Sequence, residues 1–185
     1  MLKVIFSSLY FSIVMLFFSM QSKAAEDFSE EQKIKVALIY KLGKFIQWPE
    51  DTMRSGKEVF MICVLGEDLL NPAFVVLKSR KINGLPIDIK YVAQSTDIDD
   101  VCQVVFIAES KQAFLKNILQ RMSQHPILTI SDSHGFAESG GIIELHQEEN
   151  SIGFIINLDS ARKTGLKISA PLLELSTVIG KEEEH

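Results

Sequence analysis

Three short runs are apolar at nearly every position: "EVFMICVLG" over residues 58–66, "VCQVVFIAES" over 101–110 and "ILTIS" over 127–131. A strand with one face in water alternates apolar and polar residues, so an unbroken run marks a strand covered on both faces. Such strands need helices above and below them, and the segments between the runs have helical spacing. Ser29 and Gln32 make a capping-box pattern. Beyond it Ile34, Leu38, Leu42, Phe45 and Ile46 recur on one expected helical face. Trp48 should end that helix, because the residue before a proline is driven out of the α region. "LLNPAFVVLKSR" predicts a short helix opening near Pro72. "KQAFLKNILQRMSQ" predicts another, with Phe114, Ile118 and Met122 in line. Asn83-Gly84 is a hairpin turn before an alternating strand through Ile87, Ile89 and Tyr91.

Strands alternating with helices in this way predict an α/β fold: a three-layer, Rossmann-like mixed sheet with flanking helices. "IIELHQEE" and "IGFIINL", joined around Glu149-Asn150, add an antiparallel edge hairpin. Asp159 or Ser160 is expected to cap a short helix that Gly165 ends, and Ser169 to cap a last helix over "APLLELSTVI".

The first residues do not fit this pattern. Lys3 precedes "VIFSSLYFSIVMLFFSM" and then "QSKAA", the layout of a secretory signal peptide with small residues at the cleavage point. Cleavage is expected after Ala24, which gives a signal peptide over 1–24, a single α/β domain over 25–180 and an acidic tail over 181–185. An exported protein with no direct membrane insertion after cleavage is the expectation. Losing Lys3 and Lys23, and no acid, takes the net charge from −5 to −7. That balance gives no footprint for nucleic acid or anionic lipid. The two cysteines, Cys63 and Cys102, would then meet an oxidising compartment, where an even pair favours a bridge over two free thiols.

Signatures of catalysis are missing from the sequence. It contains no GxSxG, no Walker lysine, no HExxH and no GxGxxG. No two of His125, His134, His146 and His185 are spaced as a metal pair, so no catalytic residue, metal or cofactor is assigned. Two places suit binding. Gly66 and Glu67 follow a buried strand, where α/β folds open ligand crevices, and the loop bearing His134, Phe136 and Glu138 is their expected companion. Tyr40, Lys44 and Trp48 near the first helix exit are the expected partner or dimer surface, since aromatic anchors dominate interface energies. A core role for Trp48 is the alternative.

These segments together resemble the YfiR family of periplasmic proteins. "KVALIYKLGKFIQWP" is similar to its N-terminal helix signature, "ICVLGED" to its next element, and residues 135–179 to its C-terminal half. The resemblance runs from Lys33 to Ile179. It implies a non-enzymatic repressor that binds the periplasmic domain of an inner-membrane diguanylate cyclase, lowering cyclic di-GMP and biofilm formation. It also implies an outer-membrane lipoprotein as a second partner, a homodimer, and a fold stabilised by disulfides. Relatives often carry a second cysteine pair, whereas here none follows Cys102, so Cys63 and Cys102 match the first pair alone. A small-molecule sensor coupled to a histidine kinase or another membrane receptor is the alternative function.

Overall fold

The computed structural model describes residues 29–180 apart from 51, 53–56, 69, 99–100 and 150. The expected signal peptide, the acidic tail and the Asn150 tip of the hairpin lie outside the described residues. An eight-stranded mixed sheet has the order β10-β8-β7-β6-β5-β2-β4-β3. These strands are β2 (Phe60–Leu65), β3 (Lys81–Ile82), β4 (Leu85–Val92), β5 (Cys102–Ile107), β6 (Leu128–Ser131), β7 (Ile143–Gln147), β8 (Ile152–Asn157) and β10 (Thr177–Ile179). The centre, from β4 through β2, β5 and β6 to β7, is parallel. The β7–β8 hairpin and the β3–β4 hairpin are antiparallel, the latter turning on Asn83 (φ 51°) and Gly84 (φ 83°). All six residues of β5 are buried, as its nearly continuous apolar run leads one to expect. Its one polar member, Gln103, accepts from the Met61 amide at 2.8 Å and donates to the Val101 carbonyl at 2.7 Å. It thereby satisfies the backbone where the register shifts between Met61 and Ile62.

Two apolar cores lie on the two faces of the sheet. One contains Phe60, Ile62, Val104 and Phe106 beneath helix α1 (Glu30–Lys44) and the 3-10 helix Asn71–Ser79. The other contains Leu65, Val105 and the bridged Cys63 and Cys102 beneath helix α2 (Leu115–Met122). The bridge joins adjacent parallel strands, with Cα atoms 5.8 Å apart. A minor two-stranded sheet pairs β1 (Ile46–Gln47) with β9 (Lys167–Ile168), and helices α3 (Leu158–Lys163) and α4 (Ala170–Glu174) flank β9.

Several local expectations are corrected. The capping box forms: Ser29 Oγ accepts from the Gln32 amide, and Gln32 Oε1 accepts from the Ser29 amide. The helix it opens, however, buries Val36, Ile39, Leu42 and Gly43, while Ile34 stays 49% and Phe45 43% exposed. Gly43 sets this rotation. A Cβ there would stand 3.2 Å from Ile82 Cδ1, so the helix backbone settles close onto the sheet along that line. The helix also ends at Lys44 rather than Trp48, because Ile46 and Gln47 leave it to pair with β9. Leu115 and Leu119, not Phe114, join Ile118 and Met122 in the core; Phe114 is 63% exposed. Asn157, not Asp159 or Ser160, caps α3 by accepting from the Ser160 amide. The final helix stops at Glu174, and Thr177–Ile179 form β10 beside β8, since three consecutive β-branched residues there favour a strand.

Candidate functional site

The connections create a reversal. From β2 the chain winds outward through the 3-10 helix to β4, then returns across β2 to lay down β5 on the other side. Adjacent strands β2 and β5 thus lead into connections that depart in opposite directions, and a crevice opens beyond their carboxyl ends. Here it is a cleft of about 690 Å3. Its walls are Glu67 and Asp68 after β2, Glu109 and Ser110 after β5, Asp132 after β6, and Glu31 and Lys35 from α1. Five carboxylates therefore surround one amine. Lys35 Nζ lies 2.7 Å from Asp132 and 3.0 Å from Glu31, and is largely shielded from solvent. Burial alone would lower its pKa. The hydrogen bonds and charges of Asp132 and Glu31 outweigh that, and hold it above the usual lysine range.

Asp68 goes the other way for an acid: burial pushes its carboxyl up, aided by the charges of Asp132 and Glu109 and opposed by the Leu70 amide and Lys35. Gly66 makes the turn that leads from β2 to Glu67 and Asp68. Its φ of +97° is left-handed, and a Cβ would meet Ser110 Oγ at 2.7 Å. That contact matters because Ser110 stitches the two strand ends, accepting from the Glu67 amide at 3.1 Å and donating to the Glu67 carbonyl at 2.9 Å. A second opening of about 750 Å3 adjoins it, sharing Gly66's neighbours Glu67 and Ser110 and adding Tyr91, Asn71 and Lys111. The Tyr91 hydroxyl donates to the Asn71 carbonyl.

The sequence-chosen crevice residues divide. Glu67 lines both openings and Gly66 the second alone, but His134, Phe136 and Glu138 line neither. Phe136 is wholly buried in the core that holds the disulfide. His134 is fully exposed, with Nδ1 3.7 Å from Glu144. Glu144 itself is 1% exposed and ties the loop down by accepting from the Gly135 amide at 3.2 Å and the Ala137 amide at 3.0 Å. Sequence reasoning passed over Lys35 and Asp132, which are 97 positions apart and carry no local motif. Glu109 and Ser110 had a signal, since they follow a buried strand just as Glu67 does.

The three residues expected at the partner surface also divide. Trp48 is 8% exposed and packs edge-on against Phe60, with ring centroids 5.3 Å apart. It belongs to the core. Tyr40 is half-buried, donates to the Lys81 carbonyl at 3.3 Å and lies under Lys44, whose Nζ is 5.6 Å from the ring centroid. Beyond the first turn, the exposed residues of α1 include Ile34, Ala37, Lys41 and Lys44, with Leu38 half-exposed among them and Phe45 just past the helix end. The apolar stripe read from the sequence is thus split: Leu42 and Ile46 are buried in the core, while Ile34, Leu38 and Phe45 lie on the outward side.

Among the described residues no group of three or more His, Cys, Asp or Glu side chains is arranged to hold a metal ion. The chain has a structural likeness, with a TM-score of 0.54 and 13% identity, to a conserved domain protein from Vibrio cholerae O1 biovar El Tor. The alignment covers 80% of this chain and 59% of that one, so the chain spans under two thirds of its neighbour's length, and the likeness is one of fold. The YfiR/HmsC-like family profile matches residues 32–177, from the α1 capping box to the first residue of β10. The chain belongs to the YfiR/HmsC-like family, a regulatory family associated with control of diguanylate cyclases.

Proposed function

We propose that this protein is a periplasmic regulator that binds the periplasmic domain of an inner-membrane diguanylate cyclase and lowers its cyclic di-GMP output, with no catalysis of its own. The family match across 32–177 carries this reading. The outward stripe of α1 suits it, with Ile34 and Phe45 each more than two-fifths exposed and Lys41 and Lys44 beside them. Binding acts by preferring the inactive cyclase conformation, so its effect is bounded by its differential affinity for the two states. A homodimer and an outer-membrane lipoprotein that sequesters the regulator complete the proposed circuit.

The test is capture of the cyclase's purified periplasmic domain by wild-type protein and by I34D/F45D, alongside cellular cyclic di-GMP in a deletion strain. Capture should weaken by more than about ten-fold in the double variant, as expected when two central anchors are lost. Cyclic di-GMP should rise on deletion. Unchanged cyclic di-GMP with a cognate cyclase demonstrably expressed would refute the function, and unchanged capture would refute the surface. A second reading, a small-molecule sensor coupled to a histidine kinase, is favoured by the strand-end cleft; a saturable thermal shift with a metabolite, needing no partner protein, distinguishes it.

A further inference from the structure

We propose that a second pocket, at the opposite end of the sheet from the carboxylate-lined cleft, binds a small organic carboxylate with an apolar body. It is a cavity of about 380 Å3 between α2, the loop before β7 and α3, within the size range of small-molecule sites. Its floor is Leu119, Met122 and Ile142, all buried. Lys116 from α2 and Lys163 from α3 stand at its rim, and no aspartate or glutamate lines it. In a chain of net charge −5 that is a pronounced local inversion. Neither lysine has an ion-pair partner among the described residues, whereas Lys35 and Lys78 are both engaged by carboxylates.

The buried polar groups point to the same ligand chemistry. Thr129 is 3% exposed, and its hydroxyl accepts from the Ile142 amide at 3.0 Å. The hydroxyl proton finds no acceptor among the described residues. A buried donor without an acceptor is costly, and Thr129 lines this pocket, so an acceptor arriving from a ligand would relieve it. The Ser160 hydroxyl, half-buried beside Lys163, likewise makes no hydrogen bond among the described residues. A carboxylate supplies acceptors for both hydroxyls and charge for both lysines, while an apolar body covers the floor. Inorganic phosphate meets the first demand and leaves the second unmet. The pocket is independent of the α1 stripe and of the cyclase, so this inference stands or falls apart from the proposed function.

Benzoate is a suitable probe, with benzyl alcohol as its uncharged counterpart and inorganic phosphate as the charge-only control. In 1H–15N correlation spectra of the purified protein at constant ionic strength, benzoate should shift the Gly140, Ser160 and Thr164 amides saturably. A dissociation constant in the millimolar range is expected, about that of a fragment-sized ligand. Benzyl alcohol and phosphate should each bind at least about five-fold more weakly. K116Q/K163Q should weaken benzoate by about five-fold, since exposed ion pairs contribute modestly and two are removed. Both lysines are exposed, so the double variant should keep the wild-type spectrum elsewhere. Equal affinities for benzoate and benzyl alcohol, an unchanged affinity in K116Q/K163Q, or no saturable shift at these amides up to about 20 mM would each overturn the proposal.

Discussion

Reducing the Cys63–Cys102 bridge tests how much of the fold's stability resides in its cross-link. The bridge closes a loop with a sequence separation of 39, holding the 3-10 helix, β3 and β4. In the chain-entropy treatment a loop of that size removes about 13 cal/mol/K from the unfolded ensemble, or about 4 kcal/mol at 25 °C. The native state should change little. Both cysteines are buried, and their strands are already held together by the β2–β5 ladder on either side of the bridge. For a chain of this size, 4 kcal/mol corresponds to a loss of about 8–16 °C in Tm. Urea unfolding of the oxidised protein and of the same protein in excess reductant isolates the cross-link from any cavity effect, because no atom but hydrogen is added. The reduced form should also show a larger m-value, since its unfolded chain is less compact. A difference under about 1 kcal/mol, with equal m-values, would refute the reasoning. It would mean that the unfolded chain already holds β2 and β5 together.

Two further outcomes follow from the geometry. Asp68 has its pKa raised by burial, so the folded state binds its proton more tightly than the unfolded one, and the cost of its charge is present above the folded pKa. D68N should therefore raise Tm at pH 7, and thermal scans should show that gain shrinking as pH falls through the raised pKa, gone below about 3.8; a gain that persisted in acid would exclude the charge as its cause. On α1, I39A should cost about 2–5 kcal/mol and I34A no more than about 0.5 in denaturant unfolding, because Ile39 is fully buried and Ile34 half-exposed. Equal costs would mean that the helix faces the sheet the other way round.

Long apolar runs were the legible part of the fold. Strands β2, β5 and β6 could be read directly, because burial on both faces favours apolar residues and admits only polar ones that find partners, such as Gln103, Thr129 and Ser131. The β3–β4 turn was equally plain, since Asn-Gly has a conformational reason to be there. The rotation of α1 was not legible. Of the expected stripe Ile34, Leu38, Leu42, Phe45 and Ile46, Leu42 and Ile46 are buried, but the buried line on the helix is completed by Val36, Ile39 and Gly43 instead of Ile34 and Phe45. What decides is close packing at Gly43, which gains contact by lacking a side chain. Likewise "STVI" continues the helical pattern of "APLLEL", and only the open edge of β8 draws it into a strand. Half of the candidate cleft was visible as acids after a strand. Lys35 and Asp132 were not, because only the folded topology places the first helix over the end of β6.

Strand β6 has four residues, and the chain passes from Thr129 at one opening to Asp132 at the other. At about 3.3 Å per residue, roughly 10 Å of backbone separates a rim of free ammonium groups from a bowl of carboxylates. The two openings at the ends of β6 therefore carry opposite local charge, within a chain whose net charge is negative. A positively charged surface drawing near in dilute salt would be pulled toward the carboxylates and pushed from the lysine rim, and so turned before contact; at physiological salt, where fields fade within about 8 Å, that guidance survives only for the final approach.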